Sequence, residues 1–299
     1  MSLLVNWLEN MHVDTKITND CSKKKHIRSS CNNCSDACNS GAIIITSTSI
    51  NIDLEKCNSC GDCMIACPLS AIEGVLETRE FDKNSLIYNE SYIPLVKELL
   101  IYKQRGLTGI KTRSTPLSPN WVNVLNDANK ILKQLEENTI KITEERNDEG
   151  MSRRAFFSSL QKGGKQLAKT LAPATWKLEA NEWIITRYFP DYQFFQVELD
   201  LDQCTFCEIC FSFCSQKVFT VEEGLLRVAN ERCVNCFDCT DLCPRGALQI
   251  KLKITKKQNK HYPFITKVCK TCGKPFSTFH PITDNCSICH DRDPEWLSP

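Results

Sequence analysis

Short apolar, β-branched runs separated by polar turns occur at two places in the chain. Ala42–Thr46 and Ser49–Leu54 form the first pair, and Val218–Val221 and Leu225–Ala229, around Glu222–Gly224, form the second. Each pair predicts a β-hairpin. Between them the apolar period lengthens. Tyr92–Gln104 predicts a short helix with Val96, Leu99 and Leu100 on one face. Trp121, Leu125, Ala128, Leu132 and Leu135 recur at helical spacing and predict an amphipathic helix over 120–145, with Pro116 and Pro119 before it and Gly150 after. An aromatic stretch, Trp183, Ile184, Tyr188, Phe189, Phe194 and Phe195, is expected to bury against core or neighbouring modules. At the N-terminus, Leu3, Leu4, Val5, Trp7 and Leu8 lack a basic flank and do not read as a signal peptide. No apolar run approaches the roughly 20 residues of a bilayer span.

Composition changes the picture through one residue type. The chain has 299 residues, enough for two or three domains, and 20 of them are cysteine. The formal net charge of +1 gives no field to attract nucleic acid or a membrane surface. So many cysteines mean either a disulfide scaffold or metal binding. Their spacing is metal-like, and a reducing cytoplasmic setting is the expectation.

The cysteines repeat in register. Adding 176 to Cys31, Cys34, Cys38, Cys57, Cys60, Cys63 and Cys67 returns Cys207, Cys210, Cys214, Cys233, Cys236, Cys239 and Cys243, with no gap. The module is duplicated. Cys57, Cys60, Cys63 and Cys67 have C-x2-C-x2-C-x3-C spacing followed by Pro68; Cys233, Cys236, Cys239 and Cys243 repeat it before Pro244. Cys204, Cys207, Cys210 and Cys214 keep the spacing with Ser215 in place of proline. The first run holds only Cys31, Cys34 and Cys38, and Arg28 stands where its first cysteine belongs.

These motifs resemble bacterial two-cluster ferredoxins, duplicated as in a polyferredoxin, over about residues 21–76 and 200–252. The segments CPLSAI at 67–72, CPRGAL at 243–248 and CNSGAI at 38–43 carry the likeness further. The resemblance implies cubane clusters, three cysteines of one run joined by the fourth of the other. It assigns Cys204, Cys207, Cys210 and Cys243 to one cluster, Cys233, Cys236, Cys239 and Cys214 to a second, and Cys57, Cys60, Cys63 and Cys38 to a third. Cys31, Cys34 and Cys67 leave a fourth cluster one ligand short. Cys21, across the insertion Ser22–Ser30, is the candidate, and a three-iron cluster or a non-cysteine ligand is the alternative. Cores this small are expected to depend on the metal for stability.

Four cysteines lie outside the repeat. Cys269-x2-Cys272-Gly273 and Cys286-x2-Cys289 resemble a zinc ribbon with a structural Zn2+. A rubredoxin-like single iron remains open. Cys286-Ser-Ile-Cys289-His290 also spells the c-type haem attachment motif, which would leave Cys269 and Cys272 without a role. The lysines of Lys251–Lys267 read as a solvated linker, or as a dock for an acidic partner. Met151-Ser-Arg-Arg-Ala-Phe-Phe resembles a twin-arginine signature, or a helix start capped by Ser152.

The expected fold class is α+β: two ferredoxin-like modules at 1–78 and 199–255, a largely helical segment at 79–198 between them, and a ribbon-like segment at 264–299. The sequence has no dinucleotide fingerprint, P-loop or zinc-hydrolase motif, so no organic cofactor and no catalytic residue are expected. The expected function is single-electron relay between redox protein partners, without nucleic acid and without a membrane span. An accessory protein that helps load a partner oxidoreductase is the alternative.

Overall fold

The computed structural model describes residues 15–74, 79–112, 115–144 and 176–290. The twin-arginine-like stretch at Met151 and the apolar residues Leu3 to Leu8 lie outside the described residues. The chain divides into two compact units. One is Met1–Cys21 with Asn32–Tyr188, and the other is Ser22–Cys31 with Phe189–Pro299.

In the first unit, the predicted hairpin forms as Ile43–Ile45 paired antiparallel with Ile50–Ile52, closed by a bond from Thr46 N–H to Ser49 O at 2.8 Å. Ile43 and Ile50 point into the core while Ile44 is exposed, as alternation requires. A second short pair joins Lys16–Ile17 to Ile72–Glu73. The helices Asn33–Asp36 and Asp62–Ala66 carry cysteines between these strands.

The middle of the chain, expected to be largely helical, instead holds a four-stranded mixed sheet. Phe81–Asp82 pairs antiparallel with Ser85–Ile87, which pairs parallel with Gly109–Thr112, which pairs parallel with Lys141–Glu144. Two helices, Val96–Gln104 and Pro119–Gln134, make the parallel crossovers. The helix predicted to run to 145 therefore stops at Gln134. Proline at its first position suits the start. At its end Glu136 turns left-handed (φ 59°). The side chain of Asn129 then donates to Ile140 O at 3.1 Å and accepts from Ile140 N–H at 2.8 Å. That side chain mimics a strand neighbour and turns the chain into the last strand. Tyr102 is fully buried, with Phe81, Trp176 and Trp183 at its edges, ring centroids 5.1–5.8 Å away.

Gly109 marks the closest approach in this sheet. A Cβ there would lie 2.7 Å from the main-chain oxygen of Lys141 on the adjacent strand. Gly109→Ala must push two strands apart and is expected to cost about 1–3 kcal/mol. Urea denaturation followed by circular dichroism checks this as a lowered midpoint.

In the second unit the predicted hairpin appears as Phe219–Glu222 and Leu225–Ala229, with Asn259–Pro263 added as a third strand. Tyr192–Leu199 pairs with Leu248–Lys256. The lysine-rich stretch is thus strand, not linker. Lys251 pairs with Glu198 at 2.6 Å and Lys257 with Asp191 at 2.8 Å, while Lys253 donates to Gln196 at 2.7 Å. Fully buried Asn230 ties the sheets together, accepting from Val197 N–H at 2.8 Å and donating to Gln258 O at 3.0 Å. The last four cysteines sit on the hairpin Ile265–Val268 with Pro275–Thr278 and the turn Ser287–His290. The segment Ser22–Cys31 belongs to this unit despite its place in the sequence.

Candidate metal centres

Each complete cysteine run bends through two left-handed residues at the same places: Ser59 and Gly61, Phe206 and Glu208, Asn235 and Phe237, with φ between 54° and 82°. Each non-glycine residue there costs about 1–2 kcal/mol of backbone strain. Alternation of this kind turns successive N–H groups toward one concave point, an arrangement suited to an anionic centre. The incomplete first run lacks the bend. Asn32 has φ −126°, and Ser30 is not left-handed.

In the second unit the cysteines line two cavities. One is bounded by Cys204, Cys207, Cys210 and Cys243, with Phe206, Phe211 and Leu248 around them. The other is bounded by Cys214, Cys233, Cys236 and Cys239, with Val197, Val218 and Ile250. In each, a cysteine of one run meets three of the other. Burial first, then the neighbouring thiols, pushes Cys210 up to about 12; burial, then Asp238 and the nearby thiols, does the same to Cys236. Burial pushes Cys233 up to about 11. Thiols so crowded and so poorly solvated resist ionisation until a cation shares their charge. The donor set, sulfur only in an apolar shell, fits iron–sulfur clusters.

The first unit repeats the pattern. Burial, then Cys60, Cys34, Cys38 and Cys57 in turn, pushes the Cys63 thiol up to about 12, so both Cys34 and Cys38 of the first run stand near the 57–63 run. Against burial, the Ser40 hydroxyl and the N–H groups of Ile43, Ala42 and Ser40 hold Cys38 below its ordinary value. N–H groups meet the fourth cysteines alike in both units. Ala71 donates to Cys67 Sγ at 3.3 Å, Ala247 to Cys243 Sγ at 3.3 Å and Val218 to Cys214 Sγ at 3.4 Å.

Cys21 lies near Cys67, whose thiol it helps to push up after burial. The backbone gives Cys21 a counterpart. Thr18 N–H donates to Ala71 O at 2.8 Å, and Asp200 N–H to Ala247 O at 2.9 Å. Cys21 follows Thr18 by three residues as Cys204 follows Asp200 by four, so the two enter their modules from the same strand end. Cys34 is buried in the first unit, and Cys31 closes the segment described with the second.

Sequence reasoning missed the charged groups around these loops. Lys97 donates to Ile65 O at 2.7 Å and Cys67 O at 3.2 Å; burial pulls its pKa down to about 8, against the pull of Cys67. Asp62 and Asp238, one position before the third cysteine in each repeat, are both buried. Their shared place in the register was a readable signal.

The sulfurs of Cys269, Cys272, Cys286 and Cys289 all lie within 4.8 Å of one another. A tetrahedral metal with bonds of about 2.3 Å spaces four sulfurs about 3.8 Å apart, which this group approaches. The N–H of Cys286, then those of Cys272 and Thr271, hold buried Cys269 down to about 6, while the Cys286 thiol contact pushes Cys289 up to about 12.

Two stretches match known domain families. Residues 49–76 match a 4Fe-4S binding domain and residues 196–244 a 4Fe-4S dicluster domain. The chain thus carries 4Fe-4S binding domains at these two places. Such domains give the chain an electron-transfer role. Among curated proteins, an uncharacterized protein of Methanocaldococcus jannaschii is 29% identical over 72 residues, 23% of this chain and 28% of its own length. One component of an ion-translocating oxidoreductase complex from Methanosarcina acetivorans is 46% identical over 43 residues, 14% of this chain and 16% of its own length. The chain thus spans less than a third of either relative. Among the described residues, no helix is long and apolar enough to cross a membrane.

Proposed function

We propose that this protein is a polyferredoxin that relays single electrons between redox protein partners, as a free carrier or as the electron-transfer subunit of an oxidoreductase. The observation that carries the reading is the pair of cavities in the second unit, each lined by three cysteines of one run and one of the other. The likeness of a short segment to a component of an ion-translocating oxidoreductase supports a redox partner. A bound cubane supplies a one-electron store whose charge is spread over several metals. The chain holds it with thiolates, steadies those thiolates with N–H groups, and keeps water off with Phe206, Phe211, Val197 and Ile250.

The ligand sets are Cys204, Cys207, Cys210 and Cys243; Cys233, Cys236, Cys239 and Cys214; Cys57, Cys60, Cys63 and Cys38; and Cys31, Cys34 and Cys67 with Cys21. The C-terminal four cysteines hold a structural Zn2+, closed to further ligands. Iron, sulfide and zinc analysis of anaerobically purified protein tests this. Four irons for each of four clusters and one zinc are expected, with EPR signals of reduced cubanes. Cys21→Ser is expected to remove one cluster, or to convert it to a three-iron form, and leave the other three. A three-iron signal in undamaged, unvaried protein would overturn the role of Cys21, and iron in the C-terminal site would overturn the zinc.

A further inference from the structure

Two backbone and side-chain acceptors recur in register. The carbonyl oxygens of Cys60 and Cys236 are 176 residues apart in sequence, and so are the carboxylates of Asp62 and Asp238. Both pairs sit in the bend between the second and third cysteines. Asp62 is 5% exposed and Asp238 1%, so each needs a partner.

The partners come from unrelated parts of the chain. In the first unit a single residue takes both acceptors: Arg79 donates to Cys60 O at 3.1 Å and to Asp62 Oδ1 at 2.9 Å. Its third nitrogen donates to Glu98 Oε1 at 2.8 Å, and its guanidinium lies 3.2 Å from the centre of the Tyr92 ring. In the second unit the segment Ser22–Cys31 does the same work. Ser22 Oγ donates to Cys236 O at 3.3 Å, His26 Nε2 meets Asp238 Oδ1 at 3.2 Å, and Lys25 Nζ stands 3.9 Å from Asp238 Oδ2. Ser30 anchors the far end of the segment, donating from N–H and Oγ to Asp241 at 2.7 and 2.8 Å.

We infer that Arg79 in one module, and Ser22 with His26 in the other, are positioning residues that clamp equivalent cluster loops and set their reduction potentials separately. The inference rests on the ligand sets proposed above. Its physical basis is twofold. A fixed loop holds its N–H groups on the thiolates, and hydrogen bonds of that kind tune cluster potentials. A buried carboxylate stripped of its cation adds negative charge beside a centre that must accept an electron, so the potential falls. The first clamp is a guanidinium fork with permanent charge, and the second is a hydroxyl, an imidazole and a distant ammonium. The same acceptors in two different fields give the duplicated modules different potentials.

The test is a potentiometric titration of the full-length holoprotein followed by EPR. Cys63→Ser and Cys239→Ser first assign one signal to each module. If neither removes a distinct signal, the ligand sets are wrong, and the clamp is not what failed. With signals assigned, Arg79→Gln is expected to lower the midpoint of the Cys63 signal by about 59 mV or more, a tenfold change in the reduced-to-oxidised ratio at fixed potential. The Cys239 signal should stay put. Ser22→Ala with His26→Gln should do the reverse. Arg79→Lys, which keeps the charge and loses the fork, should load iron fully and fall between. Iron-replete variants with unmoved midpoints, or variants that move both signals alike, would overturn the inference. So would an Arg79→Gln protein that fails to load iron beside an Arg79→Lys protein with an unshifted midpoint, since Arg79 would then serve folding alone.

Discussion

Chelating the iron from this protein is expected to unfold the second module, with loss of most of its strand signal in circular dichroism. The reason lies in the composition of its core. Cys233 and Cys239 are buried members of the same cluster as Val197, Phe206, Val218, Phe219, Leu226, Val228 and Leu248, and Cys210, Cys214 and Cys243 pack against it. Few apolar side chains remain once the thiols lose their centre, and a core that small does not offset chain entropy. Alkaline pH should deepen the effect. Burial pushes Cys233 to about 11 and Cys210 and Cys236 to about 12, from an ordinary 9.0. Below about pH 9 both folded and unfolded apo-chains keep these thiols protonated, and whatever stability remains is intact. As pH rises from there toward 11–12, only the unfolded chain ionises, and that stability is lost. A native-like apo spectrum at neutral pH, unchanged at pH 10, would refute this account.

The second large effect is expected at Trp121. This side chain is fully buried at the head of the helix Pro119–Gln134, with Tyr88 and Tyr92 edge-on at 5.4 and 6.1 Å. Its indole N–H donates to the carbonyls of Asn89 and Tyr92. Trp121→Ala removes the ring, leaves a cavity and strips two carbonyls of their donor, at a cost of about 3–5 kcal/mol. Trp121→Phe keeps most of the volume and should recover a large part of that loss. Urea denaturation of the holoprotein measures both. A loss below about 1 kcal/mol for the alanine variant would show that the helix is not seated as described. Because the Tyr92 ring also faces Arg79, the alanine variant should load less iron in the first module.

The cysteine register and both hairpins were legible in the sequence because each depends on local spacing. A run such as Cys233 to Cys243 must curl on itself whatever surrounds it, and Leu225–Ala229, an apolar run beside the turn Glu222–Gly224, reads as a strand. The middle sheet was not legible. Phe81–Asp82 and Ser85–Ile87 are two and three residues long, too short for any period to register. Their pairing depends on Gly109–Thr112, more than twenty residues later. The helix expected to reach 145 was bounded only by Gly150, with no earlier stop signal read after Leu135; the left-handed turn at Glu136 ended it. Arg79, just before the strand Phe81–Asp82, and Glu98, in the first turn of Val96–Gln104, gave no signal, since single charges usually face water. Their burial follows from what they meet.

The segment Ser22–Cys31 has a consequence for how this chain is made. His26 and its partner Asp238 are 212 residues apart. At a synthesis rate of about 5–20 residues per second, the segment leaves the ribosome roughly ten to forty seconds before the surface it folds against exists. During that interval Cys21 and Cys31 flank a stretch with no native neighbour. The segment is therefore among the first parts of the chain to be made and among the last to be seated, since Ser22 and His26 wait for Cys236 and Asp238.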